Sequence, residues 1–198
     1  MITYKEFEVL RGIMKGYGNC ADVAQSVYDN THYRVFKDAE EVNELYLSLI
    51  NKGYVNKEGV TPEGYSEIAP LKVKNAIILA AGGADITAKS VYSLPKGLFV
   101  KDGETLIERQ IRQLREAGIQ EITVVVGYKQ EMYYFLMDKY GVHMEINTDL
   151  KKNNVYSLYC AKDYLGSTYI CNCDNYFPEN PFSQYEYNSY HATVIKED

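Results

Sequence analysis

Between Asn75 and Leu98 the chain reads NAIILAAGGADITAKSVYSLPKGL. A short apolar strand, Ala76-Ile77-Ile78-Leu79, breaks into a turn of small residues, Ala80-Ala81-Gly82-Gly83-Ala84, and a polar loop then leads to Pro95-Lys96-Gly97. A strand that ends in a glycine turn presents backbone N–H groups to an anion with no side chain in the way. A lysine returning to that turn neutralises charge on the same anion. This stretch therefore predicts a phosphate cradle at the carboxyl end of a buried strand.

The residues that follow alternate between strand and helix periods. A helix is expected from Thr105 to Ala117, with Leu106, Ile107, Ile111 and Leu114 apolar and Gly118 ending it. A strand is expected from Glu121 to Val126, a helix from Gln130 to Tyr140, a strand around His143 to Ile146, a helix from Val155 to Ala161, and a strand over Tyr169 to Cys173 that ends at Asp174. Such alternation predicts an α/β fold, a Rossmann-like and mostly parallel sheet with helices on both faces. Ligands of such sheets bind at the carboxyl ends of the strands. The Gly82 turn, Gly127-Tyr128 and Asp174-Asn175 all fall at such ends.

Residues 1–70 follow a different pattern. Helical periods run from Tyr4 to Lys15 and from Asp22 to Tyr28, and Asp38 caps a third helix with Glu41 three residues on. Tyr54-Val55 and Val60-Thr61 make a small hairpin, and Thr61-Pro62-Glu63-Gly64-Tyr65 restarts a helix. Three helices and a wing resemble a winged helix-turn-helix domain, so the chain is expected to divide into 1–70 and 71–198. The resemblance implies DNA binding, but charge opposes it: residues 1–70 carry seven basic and eleven acidic side chains, and phosphate contacts need the opposite sign. A docking or dimerisation module is the alternative. The linker Leu71-Lys72-Val73-Lys74 is short, so the modules are expected to pack.

The whole chain has 198 residues and a net charge of −6, which also argues against broad nucleic-acid binding. No apolar run reaches the roughly 20 residues of a membrane span, and the N-terminus lacks a signal-peptide stretch; a soluble, cytoplasmic protein is the expectation. Cys20, Cys160, Cys171 and Cys173 lack zinc-site spacing and read as reduced thiols, the last two on one face of a strand.

The ordered set AIILAAGG (76–83), LPKGLF (94–99), TLIERQIRQLREAGI (105–119), ITVVVGY (122–128), NNVYSLY (153–159) and YICNCDNYF (169–177) resembles the sugar-phosphate and choline-phosphate nucleotidyltransferases, and most narrowly the bacterial choline-phosphate cytidylyltransferases. A fused winged-helix module also resembles some members. The resemblance implies that a phosphate oxygen of phosphocholine attacks the α-phosphorus of CTP, giving CDP-choline and pyrophosphate with Mg²⁺ as cofactor. It places Lys96 at the α-phosphate and Asp174 on the metal, both as catalytic groups. Leu79, Ala81, Gly82, Gly83, Gly127, Tyr128, Asn154 and Ser157 match positions around the nucleotide. A choline-type substrate favours an aromatic cage; Tyr176, Tyr187 and Tyr190 are the candidates, with Tyr185 nearby.

Two departures from the pattern matter. LAAGxGxR has a second glycine and an arginine where this chain has Ala84 and Ile86, with Asp85 between them. An arginine supplies a permanent bidentate charge, and losing it predicts weakened or lost turnover. The family also continues beyond His191-Ala192-Thr193-Val194-Ile195, where a second metal-binding aspartate is expected. The sequence is therefore expected to be either a fragment, incomplete at its C-terminus, or a shortened member, whose shortened sheet would expose an edge that pairing into a homodimer would cover. The alternative function is a non-catalytic nucleotide- or ligand-binding regulatory protein on the same fold.

Overall fold

The computed structural model describes residues 2–17, 22–31, 35–82, 94–149 and 154–190. The chain forms two compact units, Met1–Lys72 together with Tyr185–Asp198, and Val73–Gln184.

In the first unit, helices α1 (Tyr4–Met14), α2 (Val23–Asn30) and α3 (Ala39–Asn51) precede a hairpin of β1 (Val55–Asn56) and β2 (Gly59–Val60), and α4 (Pro62–Ile68) follows. Each helix start is written in the sequence. The side chains of Thr3, Asp22, Asp38 and Thr61 accept from the backbone N–H three residues on, satisfying a donor that the helix leaves unpaired. Glu41 does not close the expected box on Asp38; its carboxylate accepts from the backbone N–H of Lys37, one residue earlier. Phe7, Val9, Leu10, Val27, Val42, Leu49 and Ile68 form the core.

The last described residues belong to this unit, which the linear reading 71–198 did not anticipate. The backbone N–H of Glu186 donates to Leu71 O, and Arg11 lies between Glu8 and Glu186 at 2.6 and 3.5 Å. Tyr187 packs its ring against Tyr4 and Phe7 and donates its hydroxyl to Ile2 O.

The second unit is a four-stranded, wholly parallel sheet of β3 (Asn75–Ala80), β6 (Glu121–Val126), β7 (His143–Ile146) and β8 (Thr168–Asn172), in the order β7-β6-β3-β8. Between β3 and β6 lie a small hairpin, β4 (Val100–Lys101) and β5 (Glu104–Thr105), and helix α5 (Leu106–Glu116); α6 (Phe135–Tyr140) precedes β7 and α7 (Asn154–Cys160) precedes β8. Period-two alternation divides the strand residues between two cores. Ala76, Ile78, Ala80, Val124 and Val126 pack with Ile107, Ile111 and Leu114 of α5 and with Leu136 of α6. Ile77, Leu79 and Val125 turn to the other face, against Leu158 and Ala161. Each fully buried Ile or Val side chain contributes on the order of 2 kcal/mol.

Helix α5 begins at Thr105, whose hydroxyl accepts from the Glu108 N–H and donates to its carboxylate. Burial pushes the Glu108 carboxyl up, but hydrogen bonds from Lys139, Thr105 and Tyr140 outweigh it and hold the group down at about 2. A carboxyl depressed on folding stabilises above its ordinary pKa of 4.5, and that contribution is lost as pH falls toward 2. Thermal unfolding followed from pH 5 to pH 2 is expected to show an extra loss of about 1–3 kcal/mol in the wild type relative to Glu108→Gln. Parallel curves for the two proteins would refute this. Among the described residues no helix is long and apolar enough to cross a membrane.

Candidate active site

The strand order places the site. β3, β6 and β7 run outward in sequence order, and β8 then returns to the other side of β3. The chain thus reverses direction between β3 and β8, and in sheets of this kind the ligand crevice lies at such a switch point, outside the carboxyl ends of the strands. Gly82 and Asp174 follow these two strands.

Three backbone bonds tie the loops at this end together. Cys173 N–H donates to Leu79 O at 3.1 Å, Tyr128 N–H to Ala81 O at 3.2 Å, and Asn147 N–H to Val126 O at 2.8 Å. A Cβ on Gly82 would meet open space; packing does not require glycine there, whereas close approach of a ligand to the backbone would. Gly83, Ala84, Asp85 and Ile86 lie outside the described residues.

Lys96 opens a single 3-10 turn, Lys96–Leu98, directly after Pro95. Gly97 sets that turn against the end of β8: a Cβ there would come within 3.0 Å of Cys173 Cβ and 3.1 Å of the Tyr133 hydroxyl. The lysine beside it is thereby brought to the crevice, with Nζ 3.5 Å from Asp174 Oδ2 and both side chains about half exposed (49% and 40%). Two groups 78 residues apart in sequence form one ion pair in the open crevice. Cys173, one residue before Asp174, is buried, and burial together with the neighbouring Asp174 charge pushes its thiol up to about 11. It stays a neutral packing group at physiological pH. Cys171 behaves likewise, pushed up to about 12 by burial, and Cys160, Cys171 and Cys173 are all free thiols.

The remaining expected positions divide. Leu79 is half-buried in the second core and offers its carbonyl to Cys173. Ala81 and the Gly127-Tyr128 turn stand at the carboxyl ends of β3 and β6, where Lys129 adopts a left-handed backbone, φ 50°. Asn154, on the first turn of α7, is exposed and donates to Asn172 Oδ1 at 3.4 Å. Ser157 is buried at 3% exposure and its hydroxyl accepts from Asn147 Nδ2 at 2.9 Å. Its side chain pins α7 to the loop after β7.

The tyrosines expected to form an aromatic cage fall in different units. Tyr187 and Tyr190 belong to the first unit, and the Tyr187 ring is spent in that unit's core, as is Tyr185. Tyr176 is in the second unit, but its ring already carries two cations, Lys101 Nζ at 3.7 Å and Arg109 at 4.8 Å from its centroid. Its hydroxyl donates to Asp102 Oδ2 at 2.5 Å. Sequence proximity groups these tyrosines; the fold assigns residues 185–190 to the first unit and Tyr176 to the second.

Magnesium takes one or two carboxylates and fills its octahedron with phosphate oxygens and water. The described residues contain no cluster of three or more His, Cys, Asp or Glu placed for a metal. A single exposed carboxylate at the crevice, Asp174, fits a cation held mostly by phosphate and ill suits one held by protein alone.

A parallel sheet with a glycine turn, a lysine and a carboxylate at its switch point is the arrangement of a nucleotidyltransferase fold. The chain belongs to the MobA-like NTP transferase domain family, whose sequence model matches residues 76–194. It is 39% identical over 124 residues to the choline-phosphate cytidylyltransferase of Streptococcus pneumoniae, an alignment covering 62% of this chain and 54% of that protein. To the 2-aminoethylphosphonate cytidylyltransferase of Lancefieldella rimae it is 42% identical over 104 residues, 50% of this chain and 42% of the other. The solved structure of the pneumococcal CTP:phosphocholine cytidylyltransferase superposes with a TM-score of 0.53 at 40% identity, over 57% of this chain and 50% of that one. The chain thus spans about half the length of the curated relatives it matches.

Proposed function

We propose that the second unit is the nucleotide-binding part of a cytidylyltransferase, which transfers CMP from CTP to a small phosphorylated amino compound, phosphocholine foremost. The convergence of Lys96 and Asp174 at the β3–β8 crevice carries the reading. The pneumococcal and Lancefieldella relatives are both cytidylyltransferases, while their acceptors differ, choline phosphate in one and 2-aminoethylphosphonate in the other; this supports CTP as the nucleotide and leaves the acceptor to the assay. An acceptor phosphate oxygen forms the new bond to the α-phosphorus of CTP as the bond to the bridging oxygen breaks, and pyrophosphate leaves with the electron pair. The backbone around Ala81 and Gly82 receives the β- and γ-phosphates. Lys96 offsets charge growing on the α-phosphoryl oxygens. Asp174 is the residue that would hold Mg²⁺, which when bound neutralises the triphosphate and polarises its phosphorus.

Pyrophosphate release from each of CTP, UTP, ATP and GTP, with phosphocholine or 2-aminoethylphosphonate, tests the reading. CTP with phosphocholine is expected to give the fastest release. The absence of both turnover and calorimetric binding with every one of these triphosphates would refute it. Ile86, where the family pattern has an arginine, and the acidic Asp85 beside it favour a second reading, a nucleotide-binding regulatory protein. The missing contact is worth on the order of 2–4 kcal/mol in the transition state, and CTP binding without turnover would select that reading. The first unit, three helices followed by a hairpin, supports a winged-helix assignment; its net acidity favours a protein partner over DNA.

A further inference from the structure

Helix α5 carries two glutamines on its buried side. Gln110 is 0% exposed and Gln113 2%. Gln110 Nε2 donates to Asn172 O at 2.9 Å and to Asn175 O at 3.0 Å, the two carbonyls that bracket Cys173-Asp174. Gln113 Nε2 donates to Phe177 O at 3.0 Å and Glu179 O at 3.3 Å, and Arg109 reaches Phe177 O and Pro178 O at 2.9 and 2.8 Å. In both glutamines Oε1 is buried with no hydrogen-bond partner among the described residues. A buried amide with half its capacity unmatched is an expensive way to fill a helix–sheet interface, which leucine would fill without that penalty. What the amide provides that leucine cannot is a fixed position for the loop carbonyls.

We infer that Gln110 is a positioning residue for Asp174: by holding the carbonyls on either side of it, the amide fixes the turn that points the carboxylate at the crevice and at Lys96. Gln113 does the same for residues 177–179, farther along, and so serves as an internal control with matched burial and chemistry. The consequence for metal use rests on the cytidylyltransferase reading; the positioning itself does not.

The test compares Gln110→Leu with Gln113→Leu in the full chain. Amide hydrogen exchange is read by NMR at Cys173, whose N–H donates to Leu79 O, and at Asn175, whose N–H donates to Asn172 O. Gln110→Leu is expected to speed exchange at both by about tenfold or more, and Gln113→Leu to leave them within about twofold. Gln110→Asn, which keeps the amide but falls one methylene short, gives the same pattern if the leucine variant does not fold. In active protein, the Mg²⁺ concentration for half-maximal pyrophosphate release rises about tenfold in Gln110→Leu only, the size of effect typical of a group that orients a ligand. Unchanged exchange in the Gln110 variants, equal acceleration by Gln113→Leu, or an unaltered Mg²⁺ requirement overturns the inference. A wild type that releases no pyrophosphate refutes the cytidylyltransferase reading alone, since the exchange rates still decide this one.

Discussion

Replacing Lys96 with alanine is expected to lower the rate of pyrophosphate release from CTP by about 10²–10³ while moving the unfolding free energy by no more than about 0.5 kcal/mol. The two expectations separate catalysis from structure. The Lys96–Asp174 pair is half exposed, and ion pairs in such surroundings contribute little to stability because water screens them and ordering two long side chains costs entropy. Removing the lysine therefore leaves the fold intact. A transferring phosphoryl group accumulates charge on its non-bridging oxygens, and a cation already fixed beside it needs no reorganisation at that moment. Stopped assays at saturating CTP, with calorimetry for the nucleotide, would place the loss in kcat. A variant with wild-type turnover would leave the ion pair as surface decoration and remove Lys96 from the mechanism. Lys96→Arg retains charge but exchanges a point cation for a planar fork, so only partial recovery is expected.

Much of the fold that carries this site is legible in the sequence because local rules and tertiary structure agree there. Glu121–Val126 and His143–Ile146 are strands over the residues that periodicity assigns, and the cap at Asp38 and the helix start at Thr61 sit where the helix signals place them. The stretch 130–140 is less regular than its period implies. It is a 3-10 turn, Gln130–Tyr133, followed by α6, and the change of pitch accompanies burial of Tyr133. The hairpin β4–β5 escapes a hydrophobicity reading because it is two residues a side and neither strand is buried; Asp102 and Gly103, both with positive φ, are its signal.

The polar side of α5 was hidden for a different reason. Ile107, Gln110, Ile111 and Leu114 are spaced as one buried face, i, i+3, i+4, i+7, and a hydrophobic period registers only its apolar members. A glutamine at a core register is itself the clue that a backbone needs holding. No rule of local spacing could place Tyr187 in the first unit. Its partners, Ile2, Tyr4 and Phe7, are some 180 residues away, and only the tertiary fold brings the chain back.

Gly97→Ala is the sharpest test of how the lysine is placed. The glycine is not one of those with positive φ, so alanine suits its backbone and the whole effect comes from contact. The new Cβ would lie 3.0 Å from Cys173 Cβ, 3.1 Å from the Tyr133 hydroxyl and 3.2 Å from Cys173 Sγ. Tyr133 and Cys173 are both buried, one on the segment before α6 and one at the end of β8, so neither can swing away. Overpacking of this kind costs about 1–3 kcal/mol, read as a lower denaturation midpoint at unchanged m-value. The strain also acts on function. Relief requires the 96–98 turn to lift away from β8, which carries Lys96 from Asp174, and a misplacement near 1 Å costs on the order of 10² in rate. Tyr133→Phe removes one of the three contacts, and the hydroxyl it deletes is buried without a conventional partner among the described residues. The double variant is therefore expected to recover part of both losses, giving a coupling of about 0.5–1 kcal/mol in a double-mutant cycle. Strict additivity would mean that Gly97 does not seat the turn through Tyr133. Recovery of stability without recovery of rate would mean that the turn can move without displacing Lys96.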